Sequence, residues 1–257
     1  MKTICVTAVA CVMVGLVMFP PTATAQGPYA TITSAGFDIK YQRGVREEQV
    51  RGLLEFMVND RKLITTELGF GDDRRIEVRV YESVGKYLAE TGLKQSWRGA
   101  FYTKGVLHTQ PIDALVQRDI LEPTISYELA MAMLDGAAEK GCPRWLREAY
   151  AVYHSGEMAT LTPAVGVKVA SFSDLEQDIQ AYPNPPQRSD VHYVLGLTME
   201  FFFERYTREK ALTLYREFNG MRSVQTVLKA VLAEEYAAIE KAWAERVRAT
   251  TSAFPKR

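Results

Sequence analysis

The stretch PTISYELAMAML, residues 123–134, places one acid, Glu128, in the middle of an apolar helical run. With histidine in place of Tyr127 and Met131 it would read HELAH, the pattern of a zinc-binding helix. In such a helix the imidazoles at i and i+4 project from one face onto a single ion. The glutamate after the first histidine lies about 100° round, where it polarises the metal-bound water and takes its proton. A glutamate from a following helix can supply the third ligand, and Glu148 stands in the next predicted helix, PRWLREAYAVYHSG. Tyr127 and Met131 break this chemistry, because a phenol and a thioether do not replace two imidazoles at a hydrolytic zinc site. No metal is therefore expected. Two desolvated carboxylates in one cleft disfavour joint ionisation, so a donor between them is required. The Tyr127 hydroxyl is the expected donor, with Met131 filling the remaining volume.

The remaining reactive side chains offer less. The chain has three histidines, His108, His154 and His192, whose spacing carries no ligand signature. His154 lies six residues past Glu148, about 240° round the helix, and is expected at the surface. His108 belongs to a predicted hairpin, and His192 is expected on a helix N-terminal surface, with approach to the cleft from that helix as the alternative. Cys142 is expected to pack beside Pro143 without nucleophilic chemistry, and Phe201–Phe203 to lie in the core.

Residues 1–25 read as a secretory signal. Lys2 precedes an apolar run from Ile4 to Phe19, and Ala23 and Ala25 form an A-x-A cleavage site before Gln26. Removal of that segment takes Cys5 and Cys11 with it and leaves Cys142 alone, so no internal disulfide is available. With 47% hydrophobic residues the chain can stabilise itself by packing instead. Loss of Lys2 leaves 30 basic residues against 31 acidic, with no basic block, which argues against nucleic acid as a partner. No membrane span is expected after cleavage, and the predicted location is periplasmic or extracellular.

The elements that must position Glu128 and Glu148 fall into two lobes. Residues 26–111 are predicted as a mixed α/β lobe. FDIKYQ and RRIEVRVYES alternate as strands, with Ile76, Val78 and Val80 on one face and Tyr81 with the charged residues on the other. REEQVRGLLEFMVNDRKLITTELG is an amphipathic helix ending on Gly69, VGKYLAET a short one, and WRGAFYTKGVLHTQP an edge hairpin about Lys104-Gly105. Residues 112–257 are predicted helical. The helix carrying Glu128 is expected to start at Pro123 and to cap on Gly136, and the helix carrying Glu148 to run from Pro143 to near Gly156. A looser segment and the Pro-rich YPNPPQRSD precede four further helices.

PRWLREAYAVYHSG resembles the second zinc-ligand helix of the peptidase MA-like gluzincins, which typically reads P-x-W-L-x-E-G-x-A-x-Y. TISYELAMAML sits where that family carries its HExxH helix. HYVLGLTMEFFFERYTREKALTLYREF resembles the tyrosine-bearing helix and R-Y-G turn, and EEYAAIEKAWAERV the closing helix, with Trp243 in the usual place. WRGAFY upstream also fits. The resemblance covers most of residues 74–248 and implies an α+β, zincin-like fold, one domain over about 36–248. Carried over, Glu128 matches the general-base position, Glu148 the third-ligand position, and Tyr193 loosely a tyrosine that steadies an oxyanion. The departures are Tyr127 and Met131 at both histidines, Ala149 after the ligand glutamate, and Thr207 at the turn glycine. The implied function is an exported pseudopeptidase that binds a peptide or envelope protein in its inherited cleft, or serves structurally in the cell envelope. The alternative is a hydrolase with a modified site using Glu128 as general acid or base.

Overall fold

The computed structural model describes residues 28–70, 74–94, 98–161, 169–181, 187–218 and 220–252. The signal segment, Trp97 and most of the Pro-rich stretch lie outside them. Strands β1 (Tyr29–Ser34) and β2 (Phe37–Gln42) form a hairpin closed by Ala35-Gly36, both at positive φ as a type I′ turn requires. Helix α1 (Glu47–Leu68) returns the chain to β3 (Ile76–Val80), which pairs parallel to β2. Val50, Leu53, Met57, Ile64 and Leu68 face the core at helical spacing, and Gly69 ends α1 in the left-handed conformation.

Helix α2 (Val84–Thr91) leads to β4 (Ala100–Thr103) and β5 (Val106–Thr109), joined at Lys104-Gly105. Strand β5 runs parallel to β3 and antiparallel to β4, giving the order β1-β2-β3-β5-β4 with β4 at the edge. Tyr81, assigned by alternation to the outer face, is fully buried. It lies one residue past the strand, where the alternation stops, and its hydroxyl meets His108 Nδ1 at 2.8 Å.

The second region is mostly helical, so the fold is α+β as the two halves of the sequence predict. It comprises α3 (Ile112–Gln117), α4 (Leu121–Met133), α5 (Asp135–Glu139), α6 (Arg144–His154) and a short 3₁₀ turn (Glu157–Thr160). Then come α7 (Phe172–Ala181), α8 (Gln187–Arg205), α9 (Arg208–Glu217), α10 (Val224–Leu232) and α11 (Tyr236–Ser252). Helix α4 is buried almost all round because it is wedged between α1, α6 and the β4–β5 hairpin. It starts at Leu121, with Pro123 inside its first turn, and it stops at Leu134; Gly136 is a helical residue of α5, not a cap. Both α7 and β1 are elements the sequence reading passed over.

One continuous core joins the sheet to the helices. At its centre Trp145 of α6 stacks on Phe172 of α7 at 4.3 Å, and Trp243 of α11 lies 4.5 Å from the same ring. The Trp243 indole donates to Thr198 Oγ1 of α8 at 3.0 Å, so this buried N–H is satisfied. Thr207 caps α9 by accepting from the Lys210 amide at 3.2 Å. Among the described residues no helix is long and apolar enough to cross a membrane.

His154 is not at the surface. It points from α6 into α1, where Nε2 donates to Asp60 at 2.9 Å and Nδ1 approaches Glu67 at 3.4 Å. Burial alone would push the imidazole down, but hydrogen bonds and charge from Asp60 and Glu67 win and raise its pKa to about 9. Glu67, bonded by His154 and Tyr150 and facing Arg208, is held at about 2. A raised histidine stabilises fully below its unfolded pKa of roughly 6.5 and loses that contribution as pH climbs through about 9. The depressed Glu67 contributes above roughly 4.5 and loses it as pH falls toward about 2. The midpoint of urea denaturation should therefore fall more steeply between pH 6.5 and 9 in the native protein than in His154→Gln. Equal slopes in the two would remove this assignment.

Candidate binding site

Glu128 sits in the middle of α4 and is only 4% exposed. The sequence gives it no neighbour that could neutralise it, and the fold brings two donors from the edge of the sheet. Arg98, just before β4, donates from Nη2 to Oε1 at 3.1 Å, and the Tyr102 backbone N–H donates to Oε2 at 2.8 Å. Tyr102 belongs to the outer strand, so the carboxylate occupies a hydrogen-bonding position that a further strand would take. Arg98 is itself held: its guanidinium lies 4.4 Å from the Phe101 ring centroid, and its carbonyl accepts from Gln110 Nε2 at 2.8 Å. The ion pair is largely withdrawn from water, with side-chain exposures of 15% and 5%.

Glu148 is buried to 1% exposure in α6, and its Oε1 accepts from Arg144 Nε one turn earlier at 2.7 Å. In this i, i+4 pair the carboxylate is buried, while the Arg144 side chain keeps 38% of its surface exposed. Each glutamate accepts from a guanidinium. Tyr127 stacks its ring on His192, 5.3 Å between centroids. Met131 is partly buried against the core.

A cleft of about 210 Å³ opens at the N-terminal half of α4, between β4, α3 and the 3₁₀ turn. Arg98, Arg118, Tyr127, Glu128, Glu157 and His192 supply its chemistry. Two cations balance two anions there. Met131, Glu148 and Tyr193 do not line it. Tyr193 turns instead into a small cluster with Leu197, Met158 and Leu161, and burial raises its hydroxyl pKa, with Glu200 adding to the rise. The residue that reaches the cleft from α8 is its neighbour His192, which the sequence reading had put on a surface.

His192 is 6% exposed, and its Nδ1 lies 3.1 Å from Glu157 Oε2. A carboxylate only accepts, so Nδ1 is the donor in this contact and Nε2 is left for another partner. That Nε2 is buried and meets no hydrogen-bonding group among the described residues. Gly196 one turn along α8 lets the 3₁₀ turn approach, since a Cβ there would collide with Met158 Sδ. This close approach carries Glu157 to His192.

The donor set does not fit a zinc ion. Positions 127 and 131 hold a phenol stacked on His192 and a thioether, and both Glu128 and Glu148 are engaged by arginines. Among the described residues no group of three or more His, Cys, Asp or Glu side chains is placed to hold a metal. His108 and His154 bond to Tyr81 and Asp60 respectively, so the three histidines occupy three separate places. Cys142 is buried, its thiol pKa pushed up by that burial, which removes it as a nucleophile. Arg98, Arg118, Glu157 and His192 are functional candidates that no local pattern marked, because only the tertiary fold collects them. No protein-family model matches the chain, and no curated protein is similar to it.

Proposed function

We propose that this is an exported, degenerate relative of the peptidase MA-like gluzincins that binds, and does not hydrolyse, a peptide or envelope protein. The observation that carries the reading is the engagement of Glu128. A general base must reach a reacting proton, whereas here each oxygen already accepts a hydrogen bond, one from Arg98 and one from the Tyr102 amide. The glutamate ties α4 to the edge of the sheet, a structural role in place of a catalytic one. Engagement of the Tyr102 amide also blocks simple strand addition at that point, so the ligand is held by cleft side chains. His192 Nε2 accepts an N–H of that ligand, and a peptide unit, neutral overall, matches the balanced charge of the cleft. Export rests on the apolar run Ile4–Phe19 and the Ala23-x-Ala25 site.

Elemental analysis of the purified mature protein should find well under one zinc per chain. Peptidase assays should show no activity that Glu128→Gln removes. One tightly held zinc, or an activity lost in that variant, would overturn the reading and make the protein a hydrolase.

A further inference from the structure

The sheet ends in β4 on one side and β1 on the other, and the two edges differ. At β4 the Tyr102 N–H already donates to Glu128, which occupies a pairing position. At β1 the outer backbone groups have no hydrogen-bonding partner among the described residues. Edge strands are commonly protected by a charge, a proline or a bulge. The strand YATITS has neither charge nor proline, and its register with β2 runs unbroken. Thr31, Ile32 and Thr33 give it strong strand propensity. Under the export reading, cleavage after Ala25 leaves only Gln26 and Gly27 ahead of Pro28. Two residues reach about 7 Å, too little chain to lie along about 20 Å of strand.

The strand is also complementary to itself. In the hairpin Ile32 faces Ile39, Thr31 faces Lys40 and Thr33 faces Asp38. A two-fold axis at Ile32 between two antiparallel copies sets Ile32 opposite Ile32 and Thr31 opposite Thr33. On the core face the Ile39–Ile32 row then continues into the same row of the second copy. On the outer face the Lys40–Thr31 row continues into Thr33–Asp38, with a cation at one end and an anion at the other. The Thr33 hydroxyl donates to Asp38 at 2.8 Å, which leaves its oxygen to accept from the facing Thr31 hydroxyl. We propose that β1 is a self-association edge, through which two copies of the mature chain join their five-stranded sheets, antiparallel about Ile32. A foreign extended peptide could use the same backbone groups, but a second copy supplies the matched isoleucine, threonine and charge rows. The cleft at Glu128 plays no part in this pairing. It rests on the export reading only through the cleavage point, which N-terminal sequencing of the exported protein tests separately.

The test is sedimentation equilibrium of the mature chain, from Gln26 onward, over a concentration series, with circular dichroism to confirm folding. The native chain should approach twice the monomer mass as concentration rises and go no further, because a two-fold contact closes on itself. Thr31→Glu combined with Thr33→Glu sets glutamates opposite each other on both sides of the axis and should hold the mass at that of the monomer. Thr31→Glu combined with Thr33→Lys sets glutamate against lysine across the axis. It also keeps each new charge beside its opposite, Lys40 or Asp38, in the same chain. This second variant should recover the dimer mass. Both positions lie on the outer face of the sheet, so both variants should keep the native spectrum. A native chain that stays monomeric, masses beyond the dimer, or a double-glutamate variant that dimerises like the native chain would each overturn the proposal. A folded glutamate–lysine variant that stays monomeric would overturn it as well.

Discussion

Replacing Glu128 by alanine is expected to lower the stability of the protein by about 3–5 kcal/mol, the usual cost of breaking one side of a buried ion pair. Arg98 loses its carboxylate at 15% exposure, and the Tyr102 amide loses its acceptor at the edge of the sheet. Glu128→Gln should cost less, since an amide oxygen can still accept from one of the two donors. The direction distinguishes the two roles this glutamate can have. Residues kept for catalysis are held at the expense of stability, and removing them is commonly neutral or stabilising. Urea denaturation of the native protein and both variants reads the difference. An alanine variant as stable as the native chain, or more so, would show that Glu128 is not a tie between helix and sheet.

What could be read from the sequence divides along physical lines. Elements with their own periodicity and punctuation were legible. Helix α1 carries apolar residues at helical spacing up to Gly69, and Lys104-Gly105 marks a two-residue hairpin. Pro143 and Gly156 bracket α6. Strand β1 escaped because it is an edge strand of mixed burial, whose short YATITS run alternates only weakly. Helix α7 escaped although Phe172, Leu175 and Ile179 have helical spacing, because the neighbouring Pro-rich stretch read as a loop.

The site was legible only as a list of positions. Tyr127, Glu128 and Glu148 are buried, but their partners could not be derived from the sequence. Arg98 is thirty residues from Glu128 and meets it only after β4 has docked on α4. His154 illustrates the same limit. Helical spacing put it correctly on the face away from Glu148, yet could not tell that α1 covers that face with Asp60 and Glu67. His192 and Tyr193 are adjacent on α8 and point to different surroundings, so a one-residue choice decided which one reaches the cleft.

We propose that α4 and α6 correspond to the zinc-helix pair of the peptidase MA-like fold, with Glu128 and Glu148 each now accepting from an arginine. The most direct measurement is the zinc content, after dialysis, of a chain carrying Tyr127→His together with Met131→His. The two imidazoles would project from one face of α4 toward the neighbouring α6, whose Glu148 supplies the remaining protein ligand once released from Arg144. One zinc per chain is expected in this variant, with a melting temperature raised by added zinc, and neither property in the native protein. A folded double variant that holds no zinc would contradict it.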